Sequence, residues 1–404
     1  MATSSDLASV FPSRELPGSG RGRAALQLTR GGDFCYPLYY FIDSITADGR
    51  FMVYHRETPG DPHEIQLHRL DLANGEDVRL TDAKAEDAHW QPWGHDPAVG
   101  VSGDRAALAP QRGLLAYFEG SHARCIDLHT LERRELFTAP RDRFVLSQNC
   151  FTGDEQWLVY VDTDRASFKQ WLDEGRDRER ASMCRGTAMR ALHLDTGEHR
   201  TLFRIDYPVH HVHPVGPRGL AFSHVPGDLL GMGLAHVDRG DYTIARPRDE
   251  HGRRIVHHVP TAAGIAYETE PGDVGRLAGI LDPHTSRRFE FPVPDEVNHT
   301  GLDPLGRLFF YQFGSESIRA MLEFDPAGKH RWLDLFDPWH PFGLGRGQKA
   351  HLHPRLVLGR RWMQMVGGDP ESETNHVFLV NVSDLDATAG LPWPSNPMGA
   401  GGDG

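Results

Sequence analysis

Short apolar stretches that alternate with polar residues recur along the chain, each opened by a glycine turn and followed by a second stretch closing on Asp-Leu or Thr-Gly-Glu. A period of two is the mark of a strand with one face inward. The clearest pairs are Phe51-Met-Val-Tyr-His55 with Leu67-His-Arg-Leu-Asp-Leu-Ala-Asn-Gly-Glu76, and Trp157-Leu-Val-Tyr-Val161 with Ala191-Leu-His-Leu-Asp-Thr-Gly-Glu198. The opening glycines, Gly49, Gly113, Gly153, Gly219, Gly264, Gly306 and Gly359, lie 40 to 66 residues apart. That interval fits one four-stranded unit, which cannot bury both faces alone and so stacks with its neighbours around an axis. The pattern therefore predicts an all-β fold, a seven-bladed β-propeller with four-stranded blades, in which the strand after each glycine turn is innermost.

Three segments depart from the alternation. Residues 166–180, Ala-Ser-Phe-Lys-Gln-Trp-Leu-Asp-Glu-Gly-Arg-Asp-Arg-Glu-Arg, form a polar insertion read as a short surface helix over one rim. Residues 1–22 are rich in Ser, Gly and Arg and read as a flexible lead, and 390–404 read as a flexible tail. Between them, 23–389 form a single propeller, and residues 24–30 are placed to complete the last blade and remove a free edge.

Composition limits the partners. The 43 Gly and 28 Pro suit a turn-rich β protein, and no apolar run approaches the roughly 18 residues of a membrane span. A formal charge of −13 argues against nucleic acid, which needs clustered Lys and Arg. An anionic small substrate stays open if cations or a metal are focused locally. Cys35, Cys125, Cys150 and Cys184 form no C-x-x-C and read as buried reduced thiols of a cytoplasmic protein.

The candidate chemistry comes from histidine. Four consecutive units carry it six to eight residues ahead of the turn: His211-Val-His213, His257-His258, His299, and Gln348-Lys-Ala-His351-Leu-His353. Equal offsets in equivalent repeats let side chains distant in sequence converge, as a metal or proton-transfer site requires. Alternation sends His351 and His353 to one side of an extended segment that Pro354 ends, Gln348 adds a carbonyl oxygen, and His299 completes a mixed set with open positions. Structural histidines bonding strand ends are the competing reading. In His257-His258 and His210-His211, one member of each pair is expected to face the channel. His257 reads as a general base held neutral beside a divalent ion, with an extra metal ligand, a substrate contact or a structural histidine as its other roles, and with His258 and His211 as substitutes for the base.

With these residues in view, the chain resembles the oligogalacturonate lyases, propeller enzymes that cleave oligogalacturonides by β-elimination. Gln348-Lys-Ala-His351-Leu-His353-Pro354 looks like that family's Gln-x-x-His-Pro-His-Pro, and Asn298-His299 resembles its Ser-His segment. Met189-Arg190 and the Thr-Gly-Glu turn after it look like its Cys-Arg-Leu strand, and Ala221-Phe-Ser-His224 like its Ala-Phe-Cys-His. The resemblance implies that His299, Gln348, His351 and His353 hold a divalent metal, Mn(II), with His257 as catalytic base and an anionic uronate oligosaccharide as substrate. Arg190 is then a carboxylate clamp, with a structural ion pair as its alternative role. The sequence departs from the family in having no arginine in Leu230–His236, Leu352 in place of a proline, and only His257-His258-Val-Pro260 of a His-Glu-Phe-Trp signature. Two other classes fit these residues: a non-catalytic propeller that binds a sugar acid or a protein on its rim, and a metal-dependent hydrolase such as a lactonase.

Overall fold

The computed structural model describes residues 4–17, 23–59, 61–83, 99–101, 105–146, 149–174, 185–207, 209–224, 231–261, 264–302, 309–313, 317–324, 330–343, 351–359 and 361–384. Its middle strands are buried on both faces. Phe51–Thr58, Trp157–Asp164, Gly264–Thr269 and Trp362–Asp369 are buried at nearly every position, polar residues included. A sheet facing water on one side would keep the alternation, so sheets must cover these strands from both sides. The fourth strand Arg133–Thr138 has no buried position and His199–Ile205 is buried at only three of seven, and both lie at the outer edge of their sheets.

Six sheets are built from contiguous chain, each a run of four strands hydrogen-bonded in sequence order. They begin at Cys35–Pro37, Ala106–Ala109, Arg143–Val145, Val209–Val215, Ile255–Thr261 and Val297–Leu302. A further sheet joins the two ends of the chain in the order Ser13–Glu15, Ala24–Gln27, Thr374–Asn381, Trp362–Asp369, Arg355–Val357. There Leu26 pairs with Leu379, so residues 24–27 do close the last sheet. The pairings are antiparallel except where Val99–Gly100 runs parallel to Glu64 and Ile65. This is an all-β propeller of four-stranded blades with little helix.

The strand after each glycine turn is not the innermost. Gly219–His224 is second in its sheet, behind Val209–Val215, and Gly264–Thr269 is second behind Ile255–Thr261. The leading strands Val209–Val215, Ile255–Thr261 and Val297–Leu302 touch one another from sheet to sheet and so face the axis. A glycine turn marks a hairpin without saying which arm is inner. His211, His213, His257, His258 and His299 therefore lie on innermost strands and not on segments ahead of them.

Two expectations for the irregular segments also change. Within 1–22, helix Ser4–Val10 and strand Ser13–Glu15 are ordered, and Leu7 and Phe11 are buried against Leu26, Leu72 and Leu379. Two apolar residues four apart on one helical turn suffice, each burial contributing about 1.5–3 kcal/mol. The insertion helix, Arg165–Asp173, buries Phe168 and Trp171 in the core and is more than a polar cover; 175–180 lie outside the described residues, as does the expected tail at 390–404. Cys35, Cys125 and Cys150 are buried free thiols, and Cys184 is outside the described residues.

Candidate metal and proton-transfer site

One local device repeats on three adjacent innermost strands. The pairing with the second strand shifts between His210 and His213, between Ile255 and His257, and between Asn298 and Gly301. Each shift is a bulge, which inserts an unpaired residue and re-aims a side chain. His211 and His299 take left-handed backbone, with φ of 51° and 47°, and His353 does so at 46°. Histidine tolerates that region better than most residues, at a cost of order 1 kcal/mol. Strand alternation therefore does not aim these rings. In particular, the strand after His351 and His353 begins only at Arg355, so the two imidazoles meet through the turn at His353 and not through a two-residue repeat.

The imidazoles converge. The ring centre of His299 lies 4.5 Å from His353, 5.1 Å from His351 and 4.6 Å from His257. Donor atoms of His299, His351 and His353 all fall within 4.8 Å of one another. Gln348 lies outside the described residues. His211 is 5.3 Å from His257, while His258 packs on His213 at 4.4 Å. Both His257 and His258 are buried, and their rings do not share a direction. They diverge, His257 toward His299 and His258 toward His213.

The three clustered imidazoles fit a divalent ion. Nδ1 of His351 and Nε2 of His353 are buried with no hydrogen-bond partner among the described residues, which is costly unless something else takes the lone pair. His299 bonds Gln312 Oε1 through Nδ1 at 2.9 Å, which fixes Nδ1 as the protonated nitrogen and leaves Nε2 as a donor. Burial, reinforced by the neighbouring imidazoles, holds His299 and His353 well below the usual histidine range and brings His351 down to about 4. All three are neutral at physiological pH, as ligation requires.

His257 has a different partner. Its Nδ1 lies 2.7 Å from Glu268 Oε1, and Glu268 is wholly buried. The other oxygen, Oε2, accepts from Thr300 N–H at 2.9 Å and from the Thr300 hydroxyl, so one carboxylate ties His257 to the residue after His299. Arg276 Nη1 stands 3.9 Å from Glu268. Burial opposes ionisation of Glu268, but these contacts outweigh it and keep the carboxyl below its usual range. A carboxylate on Nδ1 fixes the tautomer, so that in the neutral ring Nδ1 carries the proton and Nε2 is the acceptor, the arrangement of a general base. By contrast, burial lowers His258 to about 3, and neither of its ring nitrogens has a side-chain partner among the described residues.

The aromatic run Tyr39-Tyr40-Phe41 covers the cluster. Tyr39 Oη is 3.4 Å from His211 Nε2, and Phe41 packs on His213 at 4.0 Å. Tyr40 touches three of the imidazoles, and burial pushes its hydroxyl well above the usual tyrosine range, so it stays protonated.

Arg190 is not brought to this cluster. It sits on the third strand of its sheet, paired with Asp162, which Arg143 also binds, and it donates to Thr201 Oγ1 at 3.0 Å. The structural ion pair is the role its geometry gives it. Sequence reasoning missed Glu268, Gln312, Thr300, Arg276 and Tyr40. One signal was present: a Glu inside Gly264-Ile-Ala-Tyr-Glu268-Thr and a Gln inside Phe309-Phe-Tyr-Gln312-Phe are polar residues in strands otherwise fit for burial.

Fold and site together define a β-propeller with an imidazole centre, built from an innermost strand and the segment leading into another, next to a carboxylate-held histidine. No family model and no curated protein matches the chain. Among solved structures, it is similar to an oligogalacturonate lyase from Vibrio parahaemolyticus, with a TM-score of 0.74 and 16% identity over 92% of this chain and 97% of that one. It is equally similar to an oligogalacturonate lyase in complex with manganese, with a TM-score of 0.74 and 18% identity over 92% and 96% of the two chains. A prolyl endopeptidase matches less well, with a TM-score of 0.51 and 12% identity over 89% of this chain and 51% of that one. At these identities the likeness shows the fold. No helix among the described residues is long and apolar enough to cross a membrane.

Proposed function

We propose that this protein is a metal-dependent lyase that cleaves oligogalacturonides, or a closely related uronate oligosaccharide, by β-elimination in the cytoplasm. The observation that carries the reading is the Glu268–His257 pair beside His299, His351 and His353, a base and a cation site in contact. The fold shared with two oligogalacturonate lyases, one of them described with manganese, supports the substrate class and the metal. The six contiguous blades and the sheet that closes them are read as a ring of seven.

The proton at C5 of a uronate is barely acidic until the adjacent carboxylate is neutralised. A divalent ion held by His299, His351 and His353, with Gln348 as the fourth ligand that the resemblance implies, would supply that neutralisation as a Lewis acid. Nε2 of His257 takes the C5 proton, and Glu268 accepts from Nδ1–H and stabilises the imidazolium that results. Thr300 holds Glu268 by two hydrogen bonds, so the base keeps its distance from the ligand strand. The test is formation of a 4,5-unsaturated product, read by ultraviolet absorbance, from a panel of polyuronate oligomers. Chelation should abolish it and manganese restore it. Product mass distinguishes elimination from a hydrolase or lactonase, which would add a water. Binding without product under every metal would leave a sugar-acid-binding propeller.

A further inference from the structure

Tyr40 is 2% exposed, and its hydroxyl has no hydrogen-bond partner among the described residues. Its ring lies 5.0 Å from His299, 5.6 Å from His353 and 5.8 Å from His257, so it spans the ligand pair and the base. The segment is held from behind, because Arg355 Nη1 donates to the Tyr40 carbonyl at 2.9 Å and Arg355 pairs with Asp43. Arg355 opens the strand that follows His353, which ties the position of Tyr40 to that of the imidazoles.

Packing does not account for the hydroxyl. A phenyl ring would make the same contacts and avoid an unsatisfied buried donor, which always costs stability. Donors kept unpaired in a rigid setting are typical of sites that present them to a ligand. We propose that the Tyr40 hydroxyl is a catalytic residue that donates a hydrogen bond to a carboxylate oxygen of the bound uronate. The inference rests on the lyase reading.

The bond strengthens as the reaction proceeds. When His257 removes the C5 proton, the C–H electron pair becomes the C4–C5 double bond. The C4–O bond breaks, and the departing oxygen takes a proton from the imidazolium or from water. Negative charge passes transiently through the carboxylate, and Tyr40 stabilises it while keeping its own proton. A donor that gains strength at the transition state affects kcat more than KM.

The test compares manganese-loaded wild type with Tyr40→Phe by four readouts: metal content, Tm, calorimetric binding of monomeric galacturonate, and kcat against KM on trigalacturonate. The expected result is equal metal content and an equal or higher Tm. Galacturonate binding should weaken about 5- to 10-fold, and kcat should fall about 100-fold while KM rises by no more than that binding loss. Equal galacturonate binding in the two proteins overturns the inference, as does a loss of metal or a lower Tm in the variant, which would mark a ligand or a packing role. If wild type binds galacturonate but releases no unsaturated product, the lyase reading falls and the binding comparison still decides Tyr40. If wild type does not bind galacturonate, both fall.

Discussion

Glu268 and Gln312 occupy the same place on the second strands of adjacent blades, and each holds Nδ1 of an imidazole carried by the innermost strand in front of it. Glu268 stands 2.7 Å from His257, and Gln312 stands 2.9 Å from His299. Ser223 fills the place one blade earlier, with its hydroxyl 3.5 Å from His211 Nδ1. One scaffold therefore offers three imidazoles to three chemistries. The carboxylate favours a histidine that accumulates positive charge, whereas the amide oxygen only fixes a tautomer. This difference separates a base from a ligand.

Replacing the carboxylate should therefore disable the base without emptying the metal site. In Glu268→Gln, kcat is expected to fall about 100- to 10,000-fold, the scale of losing a base or its orientation. Metal content by elemental analysis should stay at the wild-type value. His257→Ala should show the same split, and turnover at the wild-type rate in that variant would transfer the base role to His211 or His258.

The opposite split is expected at the neighbouring blade. Gln312→Leu frees the ring of His299 to flip, and loss of such an outer contact weakens metal affinity about 10- to 100-fold. Competition with a chromophoric chelator measures this directly, and kcat at saturating manganese should remain within a few-fold of wild type. A fall in kcat that excess metal does not recover would place Gln312 with the base instead.

The contrast explains how far the sequence could be read. Alternation and glycine turns are set within a hairpin, so the propeller and the closing role of residues 24–27 were legible, as was the convergence of His299, His351 and His353. The partners were not, because they are reached across a strand pair. Glu268 lies 11 residues from His257 and Gln312 lies 13 from His299, and each falls on its partner only once the bulge has set the register. Which of its two roles Arg190 takes was hidden for the same reason, since its partner Asp162 is 28 residues earlier. Tyr40 precedes the first recognisable unit and reaches the imidazoles only when the ring is folded.

Removing a ligand tests the centre from another side. His353→Ala should reduce bound manganese to well below one per chain and abolish product formation. In the apo state it should also lower stability relative to apo wild type, because it removes a buried ring packed on Tyr39 and Tyr40 and leaves alanine at a positive φ, so metal content is read on the folded variant. A dialysed variant that retains full metal and activity would exclude His353 from the centre.

Among the described residues outside the ligand set, His258 is one whose burial makes folding acid-sensitive. Burial brings its pKa down to about 3, whereas in the unfolded chain it titrates near the ordinary histidine value of about 6.5. The unfolded state therefore binds the proton first as pH falls. The stability owed to a neutral His258 is complete above about pH 6.5 and is lost progressively below it, until the folded state also protonates near pH 3. Over that window one group contributes a slope of about 1.4 kcal/mol per pH unit. His258→Phe keeps a ring against His213 and removes the titration. Denaturant unfolding at a series of pH values between about 6 and 4 should give the variant a shallower acid limb by close to one proton. Parallel limbs would mean that His258 is already charged in the folded protein, and that the burial around it is looser than its contacts with His211 and His213 imply.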